Sequence, residues 1–188
     1  MNIKTQAMFR LLFLFLFAML GLTSLNQTAY AKTATQIDAK VDEALANFKT
    51  KVYGADDIMK RAKGVLVMPK VFRAGIGIGG EYGEGALRIN DKTDSYYNII
   101  SGSFGFQLGG QVKSIYLFFM EDFALKSFQS SSGWKVGVDG SVALISIGAD
   151  GSVDTMKTNE PIVGFVLGQK GLMYNLTLEG SKFNKVAK

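Results

Sequence analysis

Between residues 72 and 89 the chain reads FRAGIGIGGEYGEGALRI, with apolar residues and glycines alternating at a period of two. That period belongs to a β-strand and not to a helix. Glycine at this density inside strand-like sequence marks places where another backbone approaches closely. The whole chain has 22 Gly and only 2 Pro, with 47% hydrophobic and 20% charged residues among 188. With no Gly-x-y repeat, this pattern predicts sheet and excludes collagen-like or disordered chains. The length is enough for one domain with a real core.

The chain contains no cysteine and no histidine. Thiol nucleophiles, Ser-His-Asp triads, disulfides, and zinc or haem ligation through these residues are therefore excluded. Two motif matches fail on context. Gly75-Ile76-Gly77-Ile78-Gly79-Gly80 fits G-x-G-x-x-G, but the sequel Glu81-Tyr82-Gly83-Glu84-Gly85 cannot open the helix that a dinucleotide site requires. Ser132-Gly133-Trp134-Lys135 fits S-x-x-K, yet S-D-N and K-T-G companions are missing from the sequence. Glu81 and Glu84, three apart on a strand, point to opposite faces and form no acid/base pair. No EF-hand spacing surrounds the turn acids Asp139, Asp150 and Asp154. The expectation is a non-enzymatic protein without cofactor or metal.

Residues 1–31 read as a secretory leader. Lys4 and Arg10 precede an apolar run at 11–22, too short to cross a bilayer comfortably, and Ala29-Tyr30-Ala31 forms an A-x-A cleavage site. Cleavage after Ala31 would export a single domain, 32–188. The net charge is +5, of which the leader's two basic residues take two.

Residues 33–53 carry Ile37, Val41, Ala44, Leu45, Phe48 and Val52 on one helical face, with Thr33 or Thr35 as cap and Gly54 as end. A second helix is expected over 56–62, with Asp56 and Asp57 at its start and Lys60, Arg61 and Lys63 at its end. The run 65–68 reads as a short strand stopped by Pro69. Beyond the turn at 90–94, strands are expected over 96–100, 104–108 and 113–120, with Ser101-Gly102 and Gly109-Gly110 as turns. A helix follows at 121–130. Strand returns at 134–147, interrupted at Asp139-Gly140, then at 162–167 and 172–178. The tetrapeptide Asp-Gly-Ser-Val occurs at both 139–142 and 150–153, as hairpin or bulge. The predicted class is α+β: N-terminal helices packed on a mostly antiparallel, strongly curved or barrel-like sheet, with one inserted helix.

Seven basic residues against two acidic ones lie between Lys49 and Arg73. A surplus of this kind can hold anionic lipid headgroups, at about 1 kcal/mol per Lys or Arg near the surface. Lys60, Arg61, Lys63, Lys70 and Arg73 are the candidate lipid-binding residues, with Phe72 and the Tyr96-Tyr97 region as interfacial aromatics. Solvated helix ends would give the same composition. Export and the lack of a recognition motif disfavour nucleic acid. Two other readings remain. One is an envelope structural or protein-partner module without lipid. The other is a small outer-membrane barrel, suggested by alternating glycine and aromatic strands.

The blocks AKGVLV at 62–67, GIGIGGEYGEG at 75–85, YNI at 97–99, SGSFGFQ at 101–107, SSGW at 131–134 and GQKGLM at 168–173 resemble the SYLF-domain family. The likeness is to its exported bacterial single-domain branch and spans about residues 36–184. It implies lipid binding, since eukaryotic members take phosphoinositides and other anionic phospholipids, and a yeast relative also binds actin through its domain context. Carried to an exported bacterial chain, the implication is an anionic phospholipid membrane surface, without a particular headgroup. Some bacterial relatives have a lipobox cysteine, which this chain lacks. The resemblance implies no catalytic residues.

Overall fold

A computed structural model describes residues 32–188 except 77, 105–108, 149, 154–158, 169–177 and 179. The leader and its cleavage site, most of the strand expected at 104–108 and nearly all of that at 172–178 lie outside the described residues. Residues 33–188 form one compact unit.

Thr33 opens helix α1 (Ala34–Lys51) with a capping box. Its hydroxyl accepts from the Gln36 N–H, and the Gln36 side chain accepts from the Thr33 N–H. Gly54, at φ +76°, then joins α1 to α2 (Ala55–Arg61). Four long antiparallel strands follow: β1 (Gly64–Ile76), β2 (Ile78–Ile89), β3 (Lys92–Phe104) and β4 (Gly109–Phe119). Asn90 and Asp91, both at positive φ, make the two-residue turn between β2 and β3. Helix α3 (Asp122–Ser130), β5 (Gly133–Lys135), β6 (Ala143–Leu144), β7 (Ile162–Gly168) and β8 (Lys182–Val186) complete the order.

The sheet runs β5-β8-β3-β2-β1-β4-β7-β6, antiparallel except for β6 against β7. Strands β5 and β6 occupy opposite edges, yet only residues 136–142 separate them. Eight flat strands would span about 34 Å, whereas eight residue steps reach about 29 Å at most. The sheet must therefore curl, and it does so as a half-barrel. The predicted curved α+β class holds.

Each sheet face carries its own core. On the front face α1 and α2 bury Ile37, Val41, Phe48, Val52 and Ile58 against Val65, Val67, Tyr116, Phe118 and Phe165. Phe48 is the plug, with ring centroids 4.9–5.1 Å from Tyr116, Phe118 and Phe165. On the back face α3 does the same with Phe128, 4.8 Å from Tyr97, 4.9 Å from Phe119 and 5.5 Å from Trp134. Such packed aromatic pairs add about 0.5–1.5 kcal/mol beyond burial of their area.

Several expectations need correction. Pro69 does not stop a short strand. It lies in a bulge of the 13-residue β1, where the register shifts against both β2 and β4. A bulge is where a strand tolerates a residue without an N–H. Ser101 and Gly102 make no turn: they pair with Glu81 and Gly80 inside β3. Gly109 and Gly110 begin β4, opposite Gly75 and Ala74. The strand expected at 134–147 is interrupted, as expected, around Asp139-Gly140, but its two parts are short and lie on opposite edges of the sheet instead of pairing as a hairpin. Of the two Asp-Gly-Ser-Val copies, the second turns within an antiparallel bridge, Ile147 to Val153. The first lies in the edge-to-edge connection, where Asp139 accepts from the Lys135 N–H.

Candidate functional site

The bulge decides which side chains share a face. Before it, Val65 and Val67 point to the front core and Leu66 and Met68 to the back core. The extra residue reverses the alternation, so Val71 belongs to the back. Lys70 and Phe72 therefore face front, and Arg73 faces back. The same event explains the glycines of β2. A Cβ on Gly85 would run into the Val67 carbonyl oxygen, and one on Gly83 would come within 2.8 Å of the Lys70 carbonyl oxygen.

The six residues singled out by sequence thus fall into three places. Lys60, Arg61 and Lys63 are exposed where α2 passes into β1. Arg61 donates to Asn159 Oδ1 at 3.1 Å. Lys60 and Lys63 edge a small polar hollow with Arg88 and Asp91. Lys70 and Phe72 lie further along β1 on the front face. Lys63 and Phe72 are nine residue steps apart, about 30 Å of strand. Arg73 stands apart on the back, its Nε 3.5 Å from Glu81 Oε1 and its side chain only 22% exposed. Glu81 is also held by Lys113, whose Nζ lies 2.9 Å from Oε1 and 2.8 Å from Oε2. Both Glu81 and Lys113 are buried. Arg73 is therefore part of a buried charge cluster, and its reversal would not be structurally innocent, contrary to what its place in a basic run suggests.

On the front face, beyond the reach of α1, the strand registers align one apolar row. Val112 pairs with Phe72, Phe72 with Tyr82, and Tyr82 with Ile100. Phe72, Tyr82 and Ile100 are 52%, 49% and 51% exposed, high for residues of this size in adjoining strands. The row continues into Lys182 and Lys135, both exposed. On its outer side the next positions are Gly110, Ala74, Gly80 and Gly102, so no taller side chain stands at these paired positions. On its inner side lie Lys70, Glu84, Asn98 and Asn184 in register. Glu84 is buried and neutralised by Lys188 Nζ at 2.6 Å. Burial raises the Tyr82 hydroxyl pKa above its ordinary value, and the Glu84 carboxylate adds to the rise.

Tyr82, Ile100, Val112, Lys182 and Lys135 were not found by sequence reasoning. Their signal is the strand alternation counted from the correct side of the bulge. The Tyr96-Tyr97 region does not supply interfacial aromatics. Tyr97 is fully buried against Phe128, and Tyr96 donates to Asp38 Oδ2 at 2.9 Å beneath α1. Burial and that carboxylate raise its pKa. Among the described residues no group of three or more potential ligands gathers as a metal site, and no helix is long and apolar enough to cross a membrane.

Residues 100–187, from the end of the apolar row through α3 to β8, match the family model described as Ysc84, Las17-binding protein actin regulator. Over this segment the chain matches the SYLF-domain family that its sequence blocks resemble. SYLF domains are known as lipid-binding and actin-regulating modules. The matched SYLF segment includes Ile100, Val112 and Lys182 of the front-face row, whereas Phe72 and Tyr82 precede it. No curated protein matches the chain.

Proposed function

We propose that this protein is a non-enzymatic, exported module that binds anionic phospholipid membranes through the front face of its sheet. The observation that carries this reading is the row Phe72–Tyr82–Ile100, half-exposed and bracketed by Lys70 on one side and Lys182 and Lys135 at its end. Aromatic and aliphatic side chains seat in the interface between headgroups and acyl chains, and lysines beside them meet lipid phosphates. Lys60, Arg61 and Lys63 form a second, purely electrostatic contact. A spanning barrel fits less well, because α1 and α2 pack on the front face and α3 on the back, where such a barrel would have lipid and lumen. The leader-like pattern of residues 1–31 supports a location in the periplasm or against the cell envelope. Recovery from cells of a mature chain beginning at Lys32 tests that part.

The membrane reading is tested by co-sedimentation with liposomes of phosphatidylglycerol and phosphatidylcholine against phosphatidylcholine alone. Binding is expected only with the anionic lipid and is weakened by salt. The pair Phe72→Ser and Ile100→Ser removes apolar surface worth about 1.5–3 kcal/mol per side chain when fully inserted, so affinity falls by about tenfold or more. Reversing Lys60, Arg61 and Lys63 to Glu weakens binding further and raises its dependence on the remaining apolar row. Equal binding to both liposomes, or wild-type binding by the folded double serine variant, would refute the front-face reading.

A further inference from the structure

A cleft of about 400 Å³ opens on the back side of the molecule, where the connection between the sheet edges passes α3. Its volume lies within the about 300–1,000 Å³ typical of small-ligand pockets. Phe123 and Ala124 of α3 form one wall, Val142 the other, and Trp134 and Ile162 are buried among the lining residues. The wall is held firmly: a Cβ on Gly140 would come within 2.6 Å of Trp134 Cζ2, so the connection lies directly on the indole. Phe123 at the rim is 66% exposed, and an occupant would cover it.

The charges around this cleft run against those of the whole chain. The protein carries +5, yet the lining includes the carboxylates of Asp139 and Glu160 and, among the described residues, no Lys or Arg. One Asp139 oxygen accepts from the Lys135 N–H at 2.7 Å, leaving the other available. Glu121 and Asp122 precede Phe123 and offset the positive end of α3. An apolar body is needed to fill the walls, and a positive group to meet the rim. An anionic headgroup would meet two carboxylates without a counter-ion.

We infer that the cleft between α3 and residues 139–143 is a binding site for a small apolar cation, such as an alkylammonium, with the hydrocarbon against Trp134, Val142 and Phe123 and the charge at Glu160 and Asp139. This site is separate from the front-face row and has the opposite charge preference, so it stands or falls independently of the membrane reading. Trp134 is the sole tryptophan of the chain, and its fluorescence therefore reports this cleft alone. Titration of the protein with octyltrimethylammonium, octyl sulfate and octyl glucoside, each below its micelle concentration, gives a saturable Trp134 response. The ammonium compound is expected to bind at least tenfold more tightly than the other two. Glu160→Gln, an exposed change, lowers the ammonium affinity severalfold and leaves the glucoside unaffected. Ser127→Phe, exposed on α3 and projecting into the cleft, abolishes the response while the urea midpoint stays unchanged. Equal affinities for the three probes, or an ammonium affinity untouched by Glu160→Gln, would overturn the assignment.

Discussion

The Glu81–Lys113 pair offers the sharpest test of how the back face is held together. The Lys113 side chain is 1% exposed and that of Glu81 5%, with both carboxylate oxygens within 2.9 Å of the ammonium. At an effective dielectric near 20, attraction at this distance is about 6 kcal/mol. Desolvation of each ion costs several kcal/mol, so the intact pair contributes little net stability. Removing one partner is different. Glu81→Gln keeps the shape but leaves Lys113 buried beside Arg73 with no anion, which costs about 3–5 kcal/mol. Lys113→Met leaves Glu81 with Arg73 still 3.5 Å away and partly solvated, so its cost is smaller, about 1–3 kcal/mol. The double variant removes both buried charges and is more stable than Glu81→Gln alone. Urea unfolding with an unchanged m-value reads these differences directly. In a thermal scan, Glu81→Gln should lower the midpoint by about 6–20 °C, at about 2–4 °C per kcal/mol for a domain of this size. A cost below about 1 kcal/mol for Glu81→Gln, or a double variant as unstable as the sum of the singles, would refute the reasoning.

Three further outcomes follow from named contacts. Gly85→Ala drives a methyl into the Val67 carbonyl and should cost about 3 kcal/mol or more by urea unfolding, whereas Gly102→Ala meets nothing within 4 Å and should be neutral or stabilising by up to about 1 kcal/mol. Asp38→Ala strands the Tyr96 and Thr93 hydroxyls that donate to it and should cost about 1–3 kcal/mol, against about 0–1 for Asp42→Ala, whose carboxylate is two-thirds exposed. Burial pushes the Tyr116 hydroxyl up to about 12. The folded state therefore keeps this proton while the unfolded chain loses it above about pH 10, and stability falls between pH 10 and 12 by up to about 2.7 kcal/mol. Tyr116→Phe gives up the hydrogen bond to the Ala44 carbonyl but loses correspondingly less stability over that alkaline interval. Parallel alkaline slopes for wild type and variant would show that the hydroxyl is not responsible.

The helices were legible in the sequence because each has a local signature that the fold preserves. Thr33 caps α1, the face with Phe48 is buried throughout, and Glu121 and Asp122 stand at the start of α3. The strands were legible as strands, but their ends were not. Glycine has three uses here, and sequence does not distinguish them. At Gly54 it supplies a positive φ between helices. At Gly83 and Gly85 it yields space to a bulged neighbour, and at Gly102 it continues a strand that was read as turning. β8 was missed because Lys-Phe-Asn-Lys-Val buries only Phe183 and has no apolar run.

The candidate site shows the same limit more acutely. A count of charges finds the basic surplus between Lys49 and Arg73, but its function depends on which face each residue occupies. One irregularity at Pro69 settles that for every later position of β1. Without the bulge, Arg73 would share the front face with Val67, and Phe72 would be buried with Leu66. With it, Phe72 joins Tyr82 and Ile100 in an exposed row, and Arg73 joins Glu81 and Lys113 inside. A proline within an apolar strand run is visible in sequence, and its two meanings predict opposite faces for the residues beyond it. Deleting Pro69 should therefore leave Phe72 and Arg73 on their present faces, because the three steps from Val67 to Lys70 become two, matching those from Ala86 to Glu84, whereas inserting one residue after the bulge should exchange their environments. The insertion would also turn Lys70 towards the back core and Val71 out of it, which is why this position belongs to the front-face row as much as to the fold.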